Sequence, residues 1–289
     1  MQGEPTNPML KGRLGLDDTR VPQKSRNGLV YVERARVAVE TGSLVLVFDE
    51  AGETIELPYQ RINALLLGPG TTVTHDAVRH CSAHGTAIAF VGTDGTRIYT
   101  APPIFDRNAD LARQQATYWA STTTRVMVAK RMYSKRFGET PRTNSLDSLR
   151  GMEASRIKTA YDVVAAEMGI TWRGRRYDRS SPDKTDMPNQ AINHAVTALE
   201  ACVAIAVQAT ATLPPLGFLH EQSAKSFVLD ICDLYRTVVT VPIAFRCVKK
   251  FCAAGTEPLD REVRRAVSRH VRETAFVDTV IDDIKEILA

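Results

Sequence analysis

The acidic residues most in need of a chemical reason for their positions are Asp230 and Asp233, in the run Ser226-Phe227-Val228-Leu229-Asp230-Ile231-Cys232-Asp233-Leu234-Tyr235. At about 100° per residue, Phe227, Val228, Ile231, Cys232, Leu234 and Tyr235 fill one helical arc, and the two aspartates fall together at its edge. Their i, i+3 spacing brings the Cβ atoms to within about 5–6 Å. Like charges that close repel, and a divalent cation such as magnesium or manganese, which favours clustered oxygen donors, removes the repulsion. The plainer reading is a solvated helix edge with Lys225 or Arg236 nearby. His220, in Gly217-Phe218-Leu219-His220, follows a Pro214-Pro215 turn and precedes the aspartates in an otherwise apolar stretch, which makes it a candidate ligand. Glu153 shares a stripe with Leu149 and Ile157, extended by Leu146 and Ala160. That sets a carboxylate beside a core, where an unpaired charge is costly. Its plainer reading is an ion pair with Arg150 or Arg156.

Other chemistries find less support. His75, His80, His84 and Cys81 crowd one short segment, but His80 and Cys81 point to different helical faces and no second cysteine joins them. There is no GxGxxG, no phosphate loop and no GxSxG. The five cysteines include no CxxC pair, which points to a reducing compartment. With no apolar run near Met1, the expectation is a cytoplasmic protein. Ala201 to Leu219, the longest uncharged stretch, reads as a buried helix followed by a turn, with no membrane contact.

Two kinds of element must position these residues. Up to about residue 100, short apolar or alternating runs (Val37–Val39, Leu44–Phe48, Thr54–Leu57, Ala64–Leu67, Ala87–Val91, Ile98–Tyr99) are separated by turn signals such as Gly68-Pro69-Gly70. One short helix interrupts them, with Thr74 as N-cap and Gly85 as stop. Beyond Ala101-Pro102-Pro103, helical spacing takes over at 110–137, 145–168, 188–211, 226–235, 242–252, 258–270 and 275–288. The fold class expected is α+β in two domains: a β-sandwich over 1–100, a linker over 101–108, and an all-α domain over 109–289. Net charge is +4, yet residues 107–184 carry 16 basic and 8 acidic side chains, interleaved with Tyr118, Trp119, Tyr133, Trp172 and Tyr177. Cations with aromatics suit a nucleic acid's phosphates and bases, although a charge run is often only a solvated face.

Four ordered motifs add a resemblance. Leu149-Arg150-Gly151-Met152-Glu153-Ala154-Ser155-Arg156, Trp172-x-Gly174-Arg175-Arg176-Tyr177-Asp178, Gly217-Phe218-Leu219-His220 and Ser226-Phe227-x-x-Asp230-x-x-Asp233 resemble the CRISPR adaptation integrases. The Arg173-Gly174-Arg175-Arg176-Tyr177-Asp178 stretch and Pro258-x-Asp260-Arg261-Glu262-Val263-Arg264 resemble the type I-E subfamily. The resemblance implies a β-sandwich followed by a helical catalytic domain, and a homodimer, two of which flank a dimer of a small second CRISPR-associated protein. It implies insertion of short foreign DNA fragments into repeat DNA through the fragment's 3′-hydroxyl, with Mg2+ or Mn2+ held by Glu153, His220 and Asp233 and with Asp230 as a neighbouring catalytic acid. Arg34, Arg79, Arg97, Tyr177, Arg236, Arg261 and Arg264 match positions that resemble DNA contacts. The chain departs from the family pattern where Arg34 and Glu200 replace expected tyrosines, and where 179–186 lacks an aromatic. The rival readings are a stand-alone metal-dependent nuclease on branched DNA and a non-catalytic DNA-binding scaffold.

Overall fold

The computed structural model describes residues 29–49, 52–59, 62, 64–93, 98–102, 109–176, 185–254 and 257–289. Strands β1 (Leu29–Val32), β5 (Ala64–Leu67), β7 (Ala87–Val91) and β8 (Ile98–Thr100) form one sheet in that spatial order, parallel except for β8. The second sheet runs β4 (Glu53–Leu57), β3 (Ser43–Phe48), β2 (Arg36–Glu40), β6 (Thr72–Val73). Helix α1 (His75–His84) starts where the Thr74 hydroxyl accepts from the Ala77 amide and ends at Gly85, whose φ of 68° places it in the left-handed region.

The first sheet is apolar on both faces. Leu65, Leu67 and Ile88 pack with Val37, Leu44, Leu46 and Leu57 of the second sheet and with Ala77 and Cys81 of α1. Their neighbours Ala64, Leu66, Ala87, Ala89 and Val91 turn the other way and join the core of the helices. A strand covered on both sides cannot alternate apolar with polar, which is why Ala64-Leu65-Leu66-Leu67 is continuous. The expected sandwich is therefore present, with one of its sheets serving as the wall of the helical core. Most of the linker expected at 101–108 lies outside the described residues.

The helices are α2 (Asp110–Ala120), α3 (Thr122–Phe137), α4 (Leu146–Met168), α5 (Met187–Ala209), α6 (Ser226–Leu234), α7 (Val241–Ala254), α8 (Leu259–Glu273) and α9 (Phe276–Leu288). Helix α5 is the core helix: its apolar residues are buried against α6, α7, α8, α9 and β7. It is the one described helix long and apolar enough to cross a membrane. Two features differ from expectation. The single helical stretch expected over 110–137 is broken at Ser121, which is extended at φ −112° and ψ 127°. Thr124 Oγ1 there donates to the carbonyls of Tyr118 (2.8 Å) and Ser121 (3.1 Å), a local competition with the helical ladder. And α6 passes into a π-helical turn, Arg236–Thr240, where the sequence pattern shows only a gap before Pro242.

A carboxylate and histidine site on the helical core

The site is built on a loop that doubles back. A Cβ added to Gly217 would stand 2.5 Å from the His220 carbonyl oxygen and 2.6 Å from Ser226 Cβ, so only glycine allows so close a return. Phe218 is fully buried and packs edge-on to Phe227, 6.0 Å between ring centroids, which pins the loop to α6. His220 then stands beside Asp230 and Asp233 of that helix.

Asp230 is the residue that receives the loop. It is 1% exposed and accepts from the amides of Phe218 (2.5 Å), Leu219 (3.1 Å) and His220 (2.9 Å). Its Oδ1 also lies 2.7 Å from His220 Nδ1. With both carboxylate oxygens engaged, Asp230 has nothing left to offer an ion. In this arrangement Asp230 orients the imidazole, with Nδ1 held and Nε2 turned outward. His220 Nε2 points toward Asp233 Oδ2 at 3.9 Å. The Asp230 hydrogen bond raises the His220 pKa, against the opposing effect of burial and with help from the negative charges of Asp233 and Glu153.

Asp233 is buried, and the Arg236 guanidinium pairs with its Oδ1. The contact is an ion pair without hydrogen-bond geometry, since Oδ1 has no directed donor. Glu153, on α4, is held by neither Arg150 nor Arg156 but by Arg136 of α3, whose side chain is 3% exposed. Arg150 reaches the Leu219 carbonyl instead, and Arg156 pairs with Glu139. Burial raises the Glu153 pKa, Asp233 adds to the rise, and Arg136 opposes it. Burial in turn lowers that of Arg136, which the charges of Asp233 and Glu153 counter.

The three proposed ligands thus share a pattern: Arg136 holds Glu153 at Oε1, Asp230 holds His220 at Nδ1, and Arg236 faces Asp233 at Oδ1. Two carboxylates are donors that magnesium or manganese takes, and the imidazole adds a nitrogen donor of the kind that transition ions take. As placed, no three such side chains among the described residues are close enough to enclose an ion. The donor set fits a divalent cation in kind, with two arginines now balancing its negative charge.

The expected DNA contacts are placed unevenly. Arg97 and Tyr177 lie outside the described residues. Arg34 sits in the β1–β2 turn at φ 51°, its amide bonded to the Pro69 carbonyl. Arg79 pairs with Asp76 on the exposed face of α1, and Arg261 is exposed on α8. Arg264 pairs with Asp260 at 2.8 Å and borders a cavity of about 430 Å³ with Tyr31, Cys202 and Val267. Arg236 turns its guanidinium toward Asp233, with 24% of its side chain exposed. Glu200 pairs with Lys225. The rejected histidine cluster is an aromatic packing group, His80 and His84 lying 4.2 and 4.7 Å from the Tyr59 ring.

Sequence reasoning missed Arg136 and the support for the His220 loop. The cations of 107–184 carried the signal, but their partners are far away in the chain. Arg125 reaches the Phe218 carbonyl, Arg131 the Ile287 carbonyl, Lys135 Asp283, and Arg175 Asn189 and Asn193. Much of that basic excess is committed inside the fold, while Arg142, Lys158, Arg173 and Arg176 remain exposed.

Known proteins carry the same arrangement of sequence and fold. A Rhodospirillum rubrum protein named CRISPR-associated endonuclease Cas1 1 is 35% identical over 268 residues, covering 92% of this chain and 85% of the relative. The CRISPR-associated endonuclease Cas1 of Escherichia coli K12 is 33% identical, covering 93% and 87%. A crystal structure of a TtCas1–DNA complex superposes with a TM-score of 0.78 at 32% identity, covering 92% of this chain and 97% of that one. The family model for CRISPR associated protein Cas1 matches residues 29–140 and 133–254, and the chain belongs to that family.

Proposed function

We propose that this chain is a metal-dependent DNA integrase of the type I-E kind, inserting short fragments of foreign DNA into CRISPR repeat DNA. The observation that carries the reading is the site's division of labour: Glu153, His220 and Asp233 are each engaged at one atom by a neighbour, which leaves Glu153 Oε2, His220 Nε2 and Asp233 Oδ2 for an ion, the last two 3.9 Å apart. Those three side chains would hold Mg2+ or Mn2+. The ion would supply Lewis-acid polarisation of the phosphodiester under attack and charge stabilisation as it reacts. Asp230 keeps the imidazole turned with Nε2 outward, and the Arg136 charge opposes the rise that burial imposes on the Glu153 pKa. The fragment's 3′-hydroxyl would be the nucleophile, its new P–O bond replacing the one broken in the repeat. Exposed cations such as Arg79 and Arg261 would bind the duplex through phosphates, nearly independently of sequence. The curated relatives are named endonucleases, so hydrolysis by the same residues, with water in place of the hydroxyl, is the second reading. The proposed assembly is a homodimer, two copies flanking a dimer of the small second CRISPR-associated protein in the cytoplasm.

The test uses Glu153→Gln and Asp233→Asn, because alanine at 153 would leave the buried Arg136 unpaired and confound activity with stability. With a fragment bearing 3′-hydroxyls and a repeat-bearing plasmid, both variants should lose strand joining by at least a hundredfold while still binding the fragment. Manganese should support the wild type at least as well as magnesium, and calcium poorly. Near-wild-type joining by either variant removes that residue from the site, and cleavage without joined product favours the nuclease.

A further inference from the structure

The backbone that carries His220 is gripped from two sides. On the amide side, Asp230 takes the N–H groups of residues 218, 219 and 220. On the carbonyl side, Gly217 O accepts from Trp119 Nε1 (3.0 Å) and Arg125 Nη2 (3.4 Å), and Phe218 O accepts from Arg125 Nε (3.1 Å). Leu219 O accepts twice from one fork, Arg150 Nε at 3.0 Å and Arg150 Nη2 at 2.7 Å. Glu221 steadies both guanidiniums, 2.5 Å from Arg125 and 3.2 Å from Arg150, and Asp147 adds a contact to Arg150 at 3.1 Å. A loop at the edge of a fold ordinarily leaves its carbonyls to water. Here the side chains of Trp119, Arg125 and Arg150 take its place.

The placement of the grips is what carries meaning. Arg150 lies three residues before Glu153 on α4, and Asp230 lies three residues before Asp233 on α6. Residues three apart share a helical face. Each helix that bears a proposed carboxylate ligand therefore also bears, one turn earlier, the side chain that fastens the His220 loop. Arg150 fastens it by its carbonyl and Asp230 by its amides.

We propose that Arg150 is a positioning residue that sets His220 against Glu153, as Asp230 sets it against Asp233, and that Arg150 does not act as a DNA contact. The proposal rests on the metal-site reading above. Arg150 is 36% exposed along its side chain, so a phosphate contact is the rival role. Lysine separates the two: it keeps the cation but cannot place two parallel N–H groups on one carbonyl.

The experiment compares the full-length wild type with Arg150→Lys, Arg150→Met and His220→Ala. Manganese binding is read by electron paramagnetic resonance of the free ion, amide exchange is followed at 218–220, and fragment affinity is measured over a salt series. The expected result is a roughly tenfold to hundredfold loss of manganese affinity in both Arg150 variants, the range typical when a residue supporting a metal ligand is removed. Exchange at 218–220 should quicken while the amides of α4 and α5 stay protected, and the lysine variant should bind the fragment with the wild-type salt slope. Wild-type manganese affinity in Arg150→Lys overturns the proposal, and weaker fragment binding in Arg150→Met alone would make Arg150 a phosphate contact. A wild type that binds no manganese, or binds it equally well without His220, overturns the metal-site reading and the positioning role with it.

Discussion

Two histidine sites in this molecule differ in what their neighbours leave undone: a buried pair on α1, and His220, half-buried on its loop. On α1, His80 and His84 pack edge-on and tilted against the Tyr59 ring. Burial lowers the His80 pKa, the Arg79 charge lowers it further, Asp76 only partly opposes, and Nε2 is left buried without a partner. Beside it, burial pushes the Cys81 thiol up to about 12. At His220, an oriented carboxylate reverses the effect of burial. One nitrogen is fixed by Asp230 and the other faces Asp233. Burial alone turns an ionisable side chain into packing; burial with one directed partner prepares the remaining atom for a ligand.

The largest effect expected from this contrast is at Asp230. Asp230→Ala leaves three backbone amides and an imidazole without their acceptor, and it should lower the unfolding free energy by about 3 kcal/mol or more. His80→Leu, which replaces a packed ring carrying an unsatisfied nitrogen by an apolar group, should cost under about 1 kcal/mol. Denaturant unfolding of both variants in metal-free buffer checks the pair. Equal losses would mean that the two histidine groups are the same kind of structure.

Much of this was legible in the sequence, for reasons that also mark where legibility stopped. Thr74 and Gly85 announced the ends of α1 because caps act within a few residues. The i, i+3 pair in α6 and the apolar stripe around Glu153 were visible for the same reason. The division of roles within that pair was not, because Asp230 is defined by amides 10 to 12 residues upstream. Arg136 lies 17 residues from Glu153, and Arg150 lies 69 from the carbonyl it holds. Spacing rules favoured Arg150 or Arg156 as partners of Glu153 on their shared helix. The turn from α3 into α4 brought a third arginine closer.

The second test sets the two histidine groups against each other by pH. His220 has a raised folded pKa, so its contribution to stability is fully present below the unfolded value of about 6.5 and is lost as pH rises through the raised folded value. Glu153, also raised, acts with the same sign at lower pH. His80 and His270 are lowered, so their contribution is present above about 6.5 and is lost as pH falls through their folded values. In metal-free protein, His220→Ala should flatten the alkaline side of a melting-temperature profile, and His80→Leu the acid side. Metal reverses the order at His220, since it competes with the proton: manganese affinity should fall as pH drops through a value above 6.5, and added manganese should restore activity there. A profile unchanged by His220→Ala would place that ring with the packed pair.

The smallest effect carries the same contrast to the surface, between a cation already engaged and one left exposed. Arg261 and Arg264 lie one turn apart on α8, and both match positions that resemble DNA contacts. Arg264 is 22% exposed along its side chain and pairs with Asp260, whereas Arg261 stands exposed. Each neutralised phosphate contributes about −0.9 to the slope of log K against log salt for duplex DNA. Arg261→Gln should therefore reduce the magnitude of that slope by close to one contact. Arg264→Gln should reduce it by less, because binding a phosphate there means giving up the Asp260 pair. Asp260→Asn sharpens the comparison: it should strengthen fragment binding in the wild type and make no difference once Arg264 is gone. Equal slope changes for the two arginines, with no effect of Asp260→Asn, would mean that Arg264 leaves Asp260 without cost when DNA arrives. The contrast between engaged and exposed groups would then hold for the buried site but not for the surface that meets the duplex.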